Sequence, residues 1–160
     1  MYLYITGRWY FLVTFIDGYS RYIVNWRLCF TMRADEIEAF ARDTLAQYPG
    51  QHPAIVHDNG SQFVSKDFKR LLRQFQLKDI RIKIAHPQSN GIQERWYRSL
   101  RTEALDQCDP QSYHEACECI AQWVEYYNAK RLHASLQYLP PSEYVRGTFQ
   151  QRLAEREENS

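Results

Sequence analysis

The chain has 160 residues, of which 44% are hydrophobic and 24% are charged, a composition typical of one globular domain with a single core. A membrane-spanning protein is excluded, because no uncharged apolar run approaches about 18 residues. The first residues also lack the basic segment and the cleavage site of a signal peptide. We therefore expect a soluble, cytoplasmic protein, and the four scattered cysteines do not suggest a disulfide framework.

The charges are distributed unevenly, although the formal net charge is only +1. Residues 66–101 contain ten basic and three acidic side chains. Such a surplus is typical of a surface that faces a phosphate backbone. A solvated helix surface produces the same pattern, so this segment alone leaves both interpretations open.

The first third of the chain has the pattern of strands followed by a helix. Aromatic and β-branched residues over 9–16 and 22–30, separated by Asp17 and Gly18, predict a β-hairpin, and the residues ahead of it predict a further strand. Apolar residues at helical spacing predict an amphipathic helix over 33–48.

The middle of the chain alternates between strands and helices. Residues 53–56 predict a short buried strand that ends at His57 and Asp58, and a helix is expected over 66–75. Isoleucines that alternate with basic residues over 80–84 predict a strand with one apolar face. This order of elements indicates a mixed sheet covered by helices.

The last part of the chain is expected to be helical. A predicted loop over 85–91 precedes a helix that runs through Glu94 toward Leu105. A capping-box pattern at Ser112 and Glu115 begins another helix, whose apolar residues recur at helical spacing.

Asp58 is a candidate ligand for a divalent metal ion, because it follows the apolar strand at residues 54–56. Ligand sites in α/β proteins are commonly found at such strand ends. Two-metal phosphoryl transfer requires several carboxylates around two cations, and hard oxygen ligands suit Mg²⁺ or Mn²⁺. The alternative interpretation is that Asp58 is the first residue of an Asp-Asn-Gly turn.

Glu94 is the second candidate metal ligand. Helical spacing places Glu94, Arg98 and Arg101 on one face, where two guanidinium groups could hold DNA phosphates beside the metals. An ordinary Glu–Arg ion pair would give the same pattern, and an acid near the start of a helix also stabilises the helix dipole.

The segments around the two acids resemble motifs of a known family. Residues 56–63, with the sequence Val-His-Asp-Asn-Gly-Ser-Gln-Phe, resemble the second-Asp motif of retroviral-type integrase cores and related bacterial insertion-sequence transposases. Residues 86–94 resemble their third-carboxylate motif. The 35 residues between Asp58 and Glu94 are the separation typical of that family.

Two further features extend this resemblance over nearly the whole chain. The basic residue that the family places after its glutamate falls on Arg101, and residues 127–141 resemble the C-terminal pattern of the bacterial members. The resemblance implies an α/β, ribonuclease-H-like fold, with a mixed sheet and helices on both faces. The catalytic core with its C-terminal helical extension is expected over residues 1–147 and a polar tail over 148–160. The composition of residues 150–160 predicts that the end of this tail is frayed.

The resemblance also implies a function in DNA transposition or integration. By analogy, a transposon-end phosphodiester is hydrolysed and the freed 3′-hydroxyl attacks target DNA, with Mg²⁺ or Mn²⁺ as the cofactor. Asp58 and Glu94 would be the catalytic metal ligands, and Asn90, Arg98 and Arg101 would contact DNA. The expected partners are transposon-end DNA, target DNA, and further copies of the chain or a full-length transposase.

The sequence departs from the family pattern at the first catalytic aspartate. The family places this residue on the opening strand, and motif alignment would put it just before Met1. Asp17 does not replace it, because a hairpin turn explains that residue. We therefore expect the chain as written to be an incomplete or inactive enzyme. A mis-called start or a fragment of a longer element is the hypothesis, which the upstream DNA sequence would test.

Two other functions are compatible with the same sequence features. The chain could be a non-catalytic DNA-binding or oligomerisation remnant that associates with a full-length transposase. It could also be another nuclease on the same fold, such as a ribonuclease H or a junction resolvase, although those enzymes lack the pattern at residues 127–141. Binding of DNA without cleavage would favour the remnant, and efficient cleavage of RNA–DNA hybrids would favour the other nuclease.

Overall fold

A computed structural model of the chain describes residues 1–57, 60, 63–81 and 87–158, with the backbone alone at 81 and 87–90. Two compact units are distinguished by their internal contacts. The first unit comprises Met1–Thr14 and Asn25–Tyr97, and the second comprises Phe15–Val24 and Arg98–Ser160. No helix within the described ranges is long and apolar enough to cross a membrane.

Three strands form the first sheet in the order β1-β2-β3, and they span Tyr2–Ile5, Arg8–Ile16 and Ile23–Cys29. The antiparallel register of β1 and β2 places Leu3 opposite Tyr10, and both side chains are buried. Alternate side chains of a strand point to opposite faces, so one face of this pair contributes to the core. The predicted hairpin and the strand ahead of it are confirmed.

The turn between β2 and β3 explains Asp17. Its carboxylate accepts a hydrogen bond from the backbone N–H of Ser20 at 2.9 Å. Its own backbone N–H donates to the carbonyl of Tyr22 at 2.9 Å, and its carbonyl accepts from Arg21 at 2.8 Å. Asp17 is therefore a turn residue, as the sequence predicted.

The second sheet consists of two parallel strands, β4 at Ala54–His57 and β5 at Lys78–Arg81. The prediction that β4 is a buried strand was wrong for most of its length, because Val56 is 52% exposed and Ala54 is also exposed. Only the face that carries His57 is covered, since alternate residues of a strand point in opposite directions. Of the strand predicted over 80–84, residues 82–84 lie outside the described residues.

Two helices of the first unit confirm the helical spacing of their apolar residues. Helix α1 spans Ala34–Ala46 and helix α2 spans Lys66–Gln74, and the two are in contact. Ser65 caps α2, because its hydroxyl accepts a hydrogen bond from the backbone N–H of Phe68 at 3.1 Å. The buried side chains on the two helices are Ile37, Phe40, Ala41, Thr44, Leu45, Phe68, Leu71 and Leu72.

Helix α3 begins earlier than the sequence suggested and spans Pro87–Leu100. The loop predicted over 85–91 was therefore wrong from Pro87 onward, and residues 85 and 86 lie outside the described residues. Proline is favoured in the first turn of a helix, since the N–H that it lacks would have no partner there. The helix continues as a π-helix over Arg101–Leu105 and ends in a short helix α4 at Asp106–Cys108.

The second unit also contains three later helices. Helix α5 spans Tyr113–Ala129, α6 spans Pro141–Arg146 and α7 spans Phe149–Glu158. The segment assigned to a frayed tail is thus helical over most of its length. Its Arg156 guanidinium donates hydrogen bonds to the carbonyls of Gln137 and Tyr138, each at 2.9 Å.

Ser112 caps α5 as the capping-box pattern predicted, because its hydroxyl accepts a hydrogen bond from the backbone N–H of Glu115 at 3.1 Å. Ser112→Ala is expected to lower the free energy of unfolding by about 1 kcal/mol, since that N–H loses its acceptor. Urea denaturation followed by circular dichroism measures the change. Ser135→Ala, at an exposed position, is the control; an equal loss in both variants would contradict the capping role.

Candidate active site

A buried histidine anchors the end of β4, directly before Asp58. His57 is 6% exposed, and its Nε2 lies 2.8 Å from Oδ1 of Asp79 on β5. Its ring packs against Phe63 and Phe68, with ring centroids 5.0 Å and 5.7 Å away. Asp58 itself lies outside the described residues. The structure therefore shows what fixes the strand that leads to this predicted ligand.

The pair formed by His57 and Asp79 was not predicted from the sequence. Its two members lie on strands that are separated by α2, and the parallel register places Ile55 opposite Asp79. The only sequence feature that pointed to this pair was an acid, Asp79, on the next strand after the His57-Asp58 dipeptide. The pair could be predicted only with the register of β4 and β5 in hand, because the register decides which side chains meet.

Two neighbouring aromatic residues fix helix α3, one by burial and the other by hydrogen bonds to β2. Trp96 is only 2% exposed, and the hydroxyl of its neighbour Tyr97 donates to the carbonyl of Leu12 at 3.2 Å. The same hydroxyl accepts a hydrogen bond from Nε2 of Gln93 at 3.1 Å and lies 3.3 Å from Oγ1 of Thr14. These contacts fix the rotation of the helix segment that carries Glu94.

Glu94 lies on the exposed side of this anchored segment. Helical geometry places it about 200° around the helix axis from Trp96, so the carboxylate points away from the core. It lies two turns into α3, whose first turn contains no acid, so the helix-dipole interpretation does not apply. Within the described ranges its carboxylate has no hydrogen-bond or ion-pair partner. An exposed oxygen ligand of this kind fits a hard divalent cation.

The predicted DNA-contacting residues also lie on or next to α3. Arg98 is in the last turn of the helix, Arg101 is the first residue of the π-helix, and both side chains are exposed. Asn90 is in the first turn, and its side chain lies outside what the structure describes. Exposed guanidinium groups are the kind of side chain that binds phosphate oxygens.

Of the two predicted metal ligands, the structure describes Glu94 but not Asp58. Among the described residues, no three His, Cys, Asp or Glu side chains converge as a metal-binding group would. Because Asp58 lies outside those residues, its meeting with Glu94 stays a prediction.

A second polar cluster connects the π-helix with the C-terminal motif at residues 127–141. Nε of Arg131 donates to the Glu103 carboxylate at 2.7 Å, and Nη2 donates to its other oxygen at 2.5 Å. Nη2 also lies 3.4 Å from Oγ of Ser99. The Arg131 guanidinium holds the pKa of the Glu103 carboxyl below its usual range, and Glu103 in turn raises the pKa of Arg131.

Other residues of the C-terminal motif also have structural roles. The buried amide of Asn128 accepts from the backbone N–H of Ile23 at 2.8 Å and donates to its carbonyl at 3.0 Å. The ring of His133 contacts that of Tyr127 edge to face, at 4.6 Å between centroids. Burial, and secondarily the charge of Arg131, lower the pKa of His133 to about 4, so the imidazole is neutral at pH 7.

Comparison with known proteins agrees with this architecture. Two family models, both described as integrase core domain, match residues 1–87 and 76–141. The transposase of insertion sequence element IS904 from Lactococcus lactis is 32% identical over 140 residues, which cover 84% of this chain and 54% of that protein. The putative transposase InsK of insertion sequence element IS150 from Escherichia coli is 21% identical over 150 residues, which cover 93% and 53%. The chain thus spans about half the length of these relatives.

Solved structures share the fold at low sequence identity. The catalytic core domain of BIV integrase has a TM-score of 0.69 and 17% identity, and the match covers 96% of this chain and 95% of that one. The HTLV-2 integrase catalytic core domain in complex with magnesium has a TM-score of 0.65 and 15% identity, with coverage of 83% and 84%. The expected ribonuclease-H-like fold is therefore confirmed, and with a family model matching residues 1–87 the chain belongs to the integrase core domain family.

Proposed function

We propose that this chain provides the catalytic core of a DNA transposase, in which Asp58 and Glu94 are ligands of divalent metal ions. The observation that carries the proposal is the placement of Glu94. It presents a carboxylate without a partner among the described residues, from a helix whose rotation is fixed by Trp96 and Tyr97. The segment around this glutamate resembles the third-carboxylate motif of integrase cores, and it lies within the residues that a family model described as integrase core domain matches.

Each residue has a defined role in this proposal. Asp58 and Glu94 hold Mg²⁺ or Mn²⁺, and the His57–Asp79 pair fixes the strand before Asp58. The bound metal would stabilise the charge that develops on the phosphate during hydrolysis and strand transfer. Arg98 would bind backbone phosphates beside the reacting bond.

The remaining DNA contacts and the partners are proposed on the same basis. Arg101 and Asn90 would bind DNA together with Arg98, within a segment that has a surplus of basic residues. The partners would be element-end DNA, target DNA, and further copies of the chain or a full-length transposase. Action on DNA in a bacterial cell would place the protein in the cytoplasm.

Nicking of supercoiled plasmid DNA tests the proposal. The plasmid carries the DNA that flanks the coding region, and nicked product is quantified with Mn²⁺ and without it. Mn²⁺-dependent nicking that both Asp58→Asn and Glu94→Gln abolish would support catalysis by this chain through these two ligands. Glu125→Gln, which neutralises an exposed acid on α5, is the matched control and should retain activity.

The alternatives give different results in the same assay. DNA binding without nicking by the wild-type chain would support a non-catalytic DNA-binding or oligomerisation remnant, and it would agree with the expectation of an incomplete enzyme. Preferential cleavage of RNA–DNA hybrids would favour another nuclease on this fold. Nicking that survives both Asp58→Asn and Glu94→Gln would exclude the proposed metal ligands.

A further inference from the structure

Arg131 bridges the point at which the helix carrying Glu94 changes from α to π geometry. Its guanidinium contacts Ser99, the penultimate residue of α3, and Glu103, in the middle of the π-helix. Arg101, the first residue of the π-helix, lies between these two contacts along the chain. The bridge therefore spans the backbone that carries Arg101.

Several contacts hold the Arg131 side chain in place, although it lies near the surface. Two nitrogen atoms of Arg131 contact both carboxylate oxygens of Glu103, at 2.7 Å and 2.5 Å, and such bidentate pairs restrict geometry more than a single contact does. The Arg131 side chain is 24% exposed, and its guanidinium carbon lies 5.9 Å from the ring centroid of Tyr127. Helix α5, which ends shortly before Arg131, also packs against the π-helix.

The bridge and the Arg101 side chain lie on opposite sides of the helix. Ser99 and Glu103 are four residues apart and share the side that faces Arg131. Arg101 is two residues from each of them, which places it on the opposite side of the helix, and it is exposed. A π-helix is a rare geometry that is frequently found at functional sites. Loss of the bridge would allow this segment to change its winding, which would redirect the Arg101 side chain.

We propose that Arg131 is a positioning residue for DNA binding, because it fixes the α-to-π junction and thereby the direction of the Arg101 guanidinium. This inference rests on the proposed function, in which Arg101 contacts DNA. It gives the C-terminal motif a role in recognition although Arg131 faces away from the DNA-binding side. Arg131 itself makes no phosphate contact in this proposal.

The salt dependence of DNA binding tests this role. Fluorescence anisotropy of a labelled duplex gives the affinity of the full chain between 50 and 200 mM salt, a range over which each phosphate contact changes the logarithmic slope by about 0.9. Arg131→Met, which keeps much of the aliphatic bulk, is expected to reduce this slope as much as Arg101→Ala does. The double variant should bind with the slope of Arg101→Ala alone, since both changes remove the same contact.

Two further variants control for charge and for folding. Arg152→Met removes the same charge from an ion-paired arginine of α7, which contacts Glu143 and Glu155, and it should leave the slope unchanged. Arg131→Lys keeps the charge but cannot reproduce the bidentate contact. If Arg131→Met does not fold, Arg131→Lys is expected to show the reduced slope in a folded protein.

The outcomes separate this inference from the proposed function. An unchanged slope in folded Arg131→Met, whatever its thermal stability, overturns the positioning role while leaving DNA binding by Arg101 intact. An additive loss in the double variant, or an equal loss in Arg152→Met, overturns it as well. A wild-type slope in Arg101→Ala shows that Arg101 is not a DNA contact, and the proposed DNA-binding residues and the inference then fail together.

Discussion

Glu94→Gln is expected to weaken the binding of Mn²⁺ to this chain by at least about 10-fold, and by about 100-fold or more if the ligand is essential. Replacing residues that only support a metal ligand already costs about this factor, so loss of a direct ligand should cost at least as much. The amide oxygen of glutamine keeps the shape of the side chain but removes the negative charge that a hard cation requires. Isothermal titration calorimetry with Mn²⁺ and the full chain measures the affinity.

The control for this prediction should have the same chemistry in a different place. Glu125→Gln neutralises an exposed helical glutamate on α5, and its Mn²⁺ affinity should equal that of the wild-type chain. Asp58→Asn should reproduce the loss seen with Glu94→Gln. Equal affinities in Glu94→Gln and Glu125→Gln would show that Glu94 is not a metal ligand.

Asn128→Ala is expected to lower the free energy of unfolding by about 2–6 kcal/mol. The Asn128 amide satisfies both the N–H and the carbonyl of Ile23, which is itself 2% exposed. Each buried backbone group that loses its partner costs about 1–3 kcal/mol. The two costs add when both groups lose their partner in the same variant. Urea denaturation followed by circular dichroism gives the change.

An asparagine with less demanding contacts provides the comparison. Asn25 donates to the Thr44 hydroxyl at 2.9 Å and accepts from the backbone N–H of Trp26, and its side chain is only partly buried. Asn25→Ala should therefore cost about 1 kcal/mol. If Asn128→Ala costs no more than Asn25→Ala, the amide of Asn128 does not stabilise the Ile23 backbone as the geometry indicates.

Local sequence patterns were sufficient for the elements with strong periodicity. The helices α1, α2 and α5 follow from apolar residues on one face, because burial of that face is what stabilises a helix in a folded protein. The turn at Asp17 and the cap at Ser112 follow from side-chain hydrogen bonds to nearby backbone, which depend on few other residues. The candidate ligands Asp58 and Glu94 came from motifs, since their chemistry is a property of residue type and spacing.

The start of α3 has a weak local helix propensity, and the sequence therefore predicted a loop there. The residues that follow Pro87 include Ser, Asn and Gly, which are poor helix formers, and they therefore predicted a loop. The structure extends the helix through them, and packing of Trp96 and Tyr97 farther along α3 stabilises it. Because α3 begins at Pro87, Glu94 lies in the interior of the helix and not in its first turn. Stabilisation of the helix dipole therefore does not explain why an acid stands at this position.

The sequence by itself therefore determined the family motifs, the strong helices and the residues capable of metal and DNA chemistry. Only the tertiary structure decided their partners: His57 with Asp79, Asn128 with Ile23, and Arg131 with Glu103. The members of these pairs are 22, 105 and 28 residues apart in sequence, and nothing in their local patterns relates them. They meet because strand register and helix packing bring distant backbone together, and a buried polar group must then find a partner.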